Sequence, residues 1–177
     1  MYMIAFKNSV KFFADTALHI EPSAEELAAI AIQTADRVIR DFAITPHIAL
    51  LSFSNFGSVK HPIPQRARRA VELVRQMRPD LNIDGEMQAD CALDENKRKD
   101  NFSFSLLENN ANVLIFSTLD AANISYKLLE QLANCEAIGP ILLGINGAAN
   151  VCQLHASAPN IVHMAAITAA SSNHKRV

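Results

Sequence analysis

The sequence predicts an α/β fold in which a mostly parallel sheet carries helices on both faces. Three observations point to it. Apolar runs of strand length alternate with stretches of helical period along most of the 177 residues. One run, "HIALLSF", is apolar with little alternation, the pattern of a strand covered on both sides. Half of the residues are hydrophobic and only 19% are charged, enough apolar side chain for one core and one domain of ordinary size. In such folds ligands bind outside the carboxyl ends of the strands.

Residues 2–6 and 11–14 read as two short strands around Asn8-Ser9, the pattern of a hairpin. "IEPSAEELAAIAIQTADRVIRDF" follows, and Ser23 with Glu26 forms an S-x-x-E capping box. Leu27, Ala31, Ala35, Val38 and Phe42 then recur at steps of three and four, which aligns them on one helical face widened by Ala28, Ile30 and Ile32. After Pro46 comes the buried strand. "PQRARRAVELVRQM" returns to helical period with Ala67, Ala70, Val71 and Val74 inward. "LNIDGEM", a helical stretch near "ADCALDENKRK" and the strand "ANVLIFS" follow. Asp120 is placed to cap "AANISYKLLEQLAN" as a helix. "AIGPILLGI" reads as a late strand and "NIVHMAAITAA" as a buried terminal helix. Residues 1–170 are expected to form the domain, and "SSNHKRV", 171–177, a solvated tail.

A net charge of −2 gives no global case for nucleic acid or an anionic membrane. "RARR" at 66–69, with Arg75, Arg78 and "NKRK" at 96–99, supplies local positive charge of the kind that usually lies on solvated helix faces. No aromatic residues interleave with it, as binding to single-stranded nucleic acid requires. Cys91, Cys135 and Cys152 are odd in number and have no CxxC spacing, so reduced thiols are expected. The opening "MYMIAFKNSVKFF" lacks the layout of a signal peptide, and no apolar run approaches the roughly 18 residues of a membrane span. The cytoplasm is the expected compartment.

"SFSNFGS" lies where this fold places ligands. Gly57 permits a positive φ or a close backbone approach, Ser52, Ser54, Asn55 and Ser58 carry small hydrogen-bonding groups, and Lys60 adds a point charge. These types suit an anion. They also suit an ordinary strand-to-helix turn whose serines satisfy backbone groups. "IDGEMQAD" brings Asp84, Glu86 and Asp90 into one stretch, either as a metal or acid–base cluster or, more simply, as a turn with a capping aspartate. The six histidines are scattered, with no HxH or HExxH spacing.

"FADTALHIEPSAEELAAIAI", "ALLSFSNFGS", "PDLNIDGEMQAD", "ANVLIFSTLDAANISYKLL" and "AIGPILLG", in this order, resemble the second half of the phosphate acetyl/butyryl transferase family. The resemblance implies a three-layer α/β/α sandwich like that of the isocitrate and isopropylmalate dehydrogenases. It implies acyl transfer between coenzyme A and phosphate, in a cleft bordered by the counterpart of 52–58. The missing first half would supply part of any complete site.

The chain departs from active members after "GPILLG". Where they carry a D-L-S-R-G segment and a following aspartate, ungapped alignment sets Gln153 at the serine, Leu154 at the arginine and Asn160 at the aspartate. Leucine cannot pair with phosphate and asparagine cannot take a thiol proton. No catalytic residue is therefore assigned, and no metal. The candidate ligand-binding residues are Ser52, Ser54, Asn55, Gly57, Ser58, Lys60 and Asn146.

The pattern is most similar to the C-terminal phosphotransacetylase-like domain of hybrid bacterial malic enzymes. That branch implies an N-terminal malic-enzyme domain using NADP or NAD and a divalent metal, self-association, and acetyl-CoA or a related acyl-CoA as effector. An active phosphate acyltransferase and a pure assembly module are the alternatives.

Overall fold

The computed structural model describes residues 1–173. Its elements in chain order are β1 (Tyr2–Ala5), β2 (Val10–Ala14), α1 (Ala24–Phe42), β3 (His47–Leu51), α2 (Pro62–Met77), β4 (Asn82–Met87), α3 (Ala89–Leu93), α4 (Glu95–Asn101), β5 (Val113–Phe116), α5 (Leu119–Leu132), β6 (Glu136–Ile138) and α6 (Ala158–Asn173). The strands form one six-stranded sheet in the order β4-β3-β5-β2-β1-β6. Only β1 runs against the other five, since β2, β5, β3 and β4 pair in parallel and β6 is antiparallel to β1.

The period-two alternation of the central strands sorts their side chains into two cores. Phe12, Ile48, Leu50, Val113 and Ile115 face α1, α2 and α6. Phe13, Ala49, Leu51, Leu114 and Phe116 face α3 and α5. Because β3 lies between β4 and β5 with a core on each side, Ile48 to Leu50 are entirely buried. This is the three-layer sandwich the sequence implies. The capping box forms as read: Glu26 N donates to Ser23 Oγ at 3.1 Å, and Ser23 N donates to Glu26 Oε2 at 2.7 Å.

Several expectations change. "IDGEM" is strand β4 rather than a turn. Thr118 is the N-cap of α5, its side chain accepting from Ala121 N, and Asp120 sits in the first turn instead. An N-cap needs extended backbone and a side chain three residues before the donor, which Thr118 has. The last strand stops at Ile138, and the chain from Gly139 to Ser157 is irregular. Helix α6 is buried only along a stripe containing Met164, Ile167 and Ser171, while Ile161 and Val162 are exposed.

Residues 171–173, expected to be solvated tail, belong to α6. The Ser171 hydroxyl accepts from Arg37 Nη2 at 2.7 Å and contacts Asp41 Oδ2 at 2.7 Å, which ties the end of α6 to α1. The remaining tail residues, 174–177, lie outside the described residues. Among those described, the three cysteines are free thiols and no helix is long and apolar enough to cross a membrane.

Candidate functional site

The loop after β3 is built around a carboxylate that belongs to the protein itself. Along the β3–β4 ladder, Leu50 faces Gly85 and Leu51 faces Met87, which leaves Glu86 as the extra residue of a bulge. Bulges re-aim side chains, and this one also exchanges the faces of the strand, so that Ile83 joins one core and Met87 the other. Gly85 has φ +141°, and a Cβ there would stand 2.7 Å from Leu50 O. Only glycine fits that approach.

Glu86 is fully buried beneath the loop. Its Oε1 accepts from the Ser54 hydroxyl and from Gly57 N, both at 2.8 Å. Arg68, from α2, donates through Nε to Oε2 at 3.0 Å and through Nη2 to Oε1 at 3.2 Å. The Glu86 carbonyl accepts from Phe56 N at 2.8 Å. Burial alone would raise this carboxyl's pKa, but Arg68, the Gly57 N–H and the Ser54 hydroxyl outweigh it and hold the value below that of an ordinary glutamate.

The donors expected to meet an external anion are thus largely committed inside. Ser54 and Gly57 serve Glu86. Ser58 Oγ closes the turn by accepting from Asn55 N at 3.0 Å. Asn55 exchanges two hydrogen bonds with Gln88, at 3.1 and 2.7 Å. Between residues 52 and 60, two candidates stay uncommitted. The Ser52 hydroxyl is buried with no partner, and exposed Lys60 has no hydrogen bond or ion pair among the described residues.

Ser52 lines a cavity of about 310 Å³ with Phe53, Ile63, Ser117 and Thr118, at the carboxyl ends of β3 and β5. The helices that follow these neighbouring strands, α2 and α5, lie on opposite faces of the sheet. The cavity therefore occupies a topological switch point, the usual ligand position in this architecture. Arg66 donates from Nη2 to the carbonyl of the lining residue Ser117 at 3.0 Å, while its buried Nε has no partner.

The three carboxylates of "IDGEMQAD" do not converge. Asp84 pairs with Arg75 at 2.7 Å and also accepts from Ser105 Oγ and Leu106 N, each at 2.7 Å. Glu86 pairs with Arg68, and Asp90 pairs with Lys97. Among the described residues no three His, Cys, Asp or Glu side chains gather as a metal-ligand group. The same contacts revise the basic stretches. Arg68 and Arg75, two helical turns apart on α2, reach Glu86 and Asp84, two residues apart on β4. Arg98 is 1% exposed and donates to the carbonyls of Cys91 at 2.9 Å and Leu107 at 3.2 Å. No local sequence signal marks Arg68 as the partner of Glu86, because the pairing is set by how α2 lies across β4.

The substituted positions lie elsewhere. Gln153 Nε2 donates to the Tyr2 hydroxyl at 2.7 Å, and Asn160 Nδ2 donates to Ala137 O at 3.1 Å. Both residues line a cavity of about 220 Å³ with Tyr2, Tyr126 and Lys127, and it shares no lining residue with the cavity beside Ser52. Tyr2 stacks on Tyr126 with ring centroids 4.3 Å apart, and burial together with that neighbour holds the Tyr2 phenol well above its ordinary pKa. Leu154 is 98% exposed and contributes no polar group. Asn146 is exposed in the irregular segment and makes no hydrogen bond to the 52–58 loop.

The model of the phosphate acetyl/butaryl transferase family matches residues 1–169. The chain is 48% identical over 157 residues to a phosphate acetyltransferase of Paracoccus denitrificans, covering 89% of this chain and 49% of that protein. It is 45% identical over 158 residues to the NADP-dependent malic enzyme of Escherichia coli (strain K12), covering 88% of this chain and 21% of that enzyme. The solved phosphotransacetylase of Streptococcus pyogenes superposes with a TM-score of 0.90 at 38% identity, over 96% of this chain and 52% of that one. The chain thus spans about half the length of the acetyltransferase and about a fifth of the malic enzyme. A matching family model over nearly the whole chain, the shared sandwich and the shared sequence place this chain in the phosphate acetyl/butaryl transferase family.

Proposed function

We propose that this chain is a catalytically silent phosphotransacetylase-like domain that regulates and helps assemble a malic enzyme, with acetyl-CoA or a related acyl-CoA as effector. One observation carries the reading. At the positions where active relatives are expected to hold a serine, an arginine and an aspartate, Gln153 and Asn160 make internal hydrogen bonds and Leu154 points a bare alkyl group at solvent. The similarity to about a fifth of a malic enzyme supports it, as does a cavity beside Ser52 suited to a ligand. A sensor needs binding without turnover, and its effect on the enzyme is reciprocal: if acetyl-CoA inhibits, the competent state binds it less tightly. NADP or NAD and the divalent metal would be held by the N-terminal domain.

The test is malate-dependent reduction of NADP or NAD by the full-length protein, with and without acetyl-CoA, followed by its oligomeric state after removal of this domain. Turnover insensitive to acetyl-CoA removes the regulatory role. The 48% identity to a phosphate acetyltransferase favours a second reading, in which the chain is half of an active phosphate acyltransferase. Acetyl phosphate formed from acetyl-CoA and phosphate, and lost on altering the 52–58 loop, would establish it.

A further inference from the structure

Asn146 and Gly147 form the single Asn-Gly pair of the sequence, and the fold sets it at the tip of a loop fastened at both ends. Asn150 Oδ1 accepts from Leu142 N at 3.0 Å, and its Nδ2 donates to Thr168 Oγ1 at 2.9 Å, which clasps the two ends together and to α6. Between these points nothing is fastened: among the described residues, 143–149 make no hydrogen bond. Asn146 is exposed, and Gly147 has φ +135°.

An asparagine is lost when the backbone nitrogen of the next residue gives up its proton and attacks the side-chain Cγ. The new N–Cγ bond closes a succinimide, the Cγ–NH2 bond breaks and ammonia leaves. Water then opens the ring at either carbonyl, giving aspartate or isoaspartate, so water is the sole co-reactant. The step asks for an N–H free of hydrogen bonds, a neighbour without a Cβ in the way, and a backbone able to turn. Gly147 at this tip meets all three. Other asparagines do not. The side chains of Asn55, Asn82, Asn112 and Asn160 are hydrogen-bonded. Asn8 is exposed, but it precedes Ser9 in a hairpin turn closed by Phe6 N donating to Ser9 O at 2.8 Å.

We propose that Asn146 is a site of self-modification: the folded protein converts it to aspartate and isoaspartate, and the conversion loosens the clasp at Asn150. Either product sets a carboxylate at the tip. Isoaspartate also routes the main chain through the side-chain methylene, and a segment lengthened between two pinned points must give at its ends. Leu142 and Leu143 line one cavity, and Ala148 and Asn150 line another, so the change reaches the walls of both.

The experiment incubates the chain at 37 °C, at pH 6 and pH 8 and in urea at pH 8, and follows each asparagine by peptide mass spectrometry. Isoaspartate is counted by enzymatic methylation. The peptide holding Asn146 is expected to gain one mass unit at least about tenfold faster than that holding Asn8, because Ser9 has a Cβ and a closed turn. Conversion should be faster at pH 8 than at pH 6, and close in rate to that in urea. Asn146→Gln, at an exposed position, should abolish it and leave Asn8 unchanged. Converted protein should exchange the Leu142 amide several-fold faster than Asn146→Gln incubated alike, with the amides of α1 unchanged. Conversion of Asn146 no faster than that of Asn8, or seen only in urea, overturns the proposal. Unchanged exchange at Leu142 in the converted protein overturns the loosening.

Discussion

Replacing Glu86 by glutamine tests whether the loop after β3 depends on its internal carboxylate. The amide can still accept from Gly57 N and Ser54 Oγ, but its NH2 group must then face the Arg68 guanidinium, donor against donor. Removing one partner of a buried ion pair costs about 3–5 kcal/mol. The Arg68 side chain is 40% exposed and regains water, which lowers the expected cost to about 2–3 kcal/mol. In a domain of this size each kcal/mol moves Tm by about 2–4 °C, so a fall of roughly 5–10 °C is expected at pH 7.

The pH dependence has a definite sign. A carboxyl whose folded pKa lies below its unfolded value, about 4.3 for glutamate, stabilises fully above that value and loses the contribution as pH falls through the folded pKa. The gap between wild type and Glu86→Gln should therefore be widest near neutrality and close in acid. Thermal unfolding by circular dichroism at pH 7 and in steps below pH 5 measures it. Hydrogen exchange at Phe56 and Gly57 reports the loop directly. A Tm fall of less than about 2 °C at pH 7, with those amides still protected, would refute the reasoning.

Three further substitutions probe the frame. Ser23→Ala removes one side of the capping box and should cost about 1 kcal/mol, read as a lowered denaturant midpoint at unchanged slope. Gly85→Ala puts a Cβ against Leu50 O at a φ that side chains avoid, so it should destabilise by about 2 kcal/mol or more and deprotect the Phe56 amide, which donates to the Glu86 carbonyl. Ser171→Ala leaves Arg37 Nη2 without its acceptor and should cost about 1–2 kcal/mol, with faster hydrogen exchange in the last turns of α6 and none of the loop effect of Glu86→Gln.

The architecture was legible wherever burial imposes a period. Helix α1 shows this best, because Leu27, Ala31, Ala35 and Val38 report one face and Ser23 with Glu26 reports its start. β4 was not legible as a strand. Asp84, Gly85 and Glu86 are poor strand formers, and what holds them in the sheet are Arg75 and Arg68 on another element. The loop was legible in its position but not in the direction of its donors. Ser54 and Gly57 point inward to a carboxylate about thirty residues away, a contact that local composition cannot encode. Ser171 reads as part of a polar tail for a similar reason, since its partners Arg37 and Asp41 lie far back in the chain.

The carboxylate beneath the loop also has a kinetic consequence. A loop already moulded around Glu86 spends no ordering entropy when a ligand arrives, and it has no slow closure step to wait for. For any ligand that meets this face, the approach to equilibrium should be a single bimolecular phase whose rate rises linearly with concentration, with affinity differences between related ligands expressed in how fast they leave.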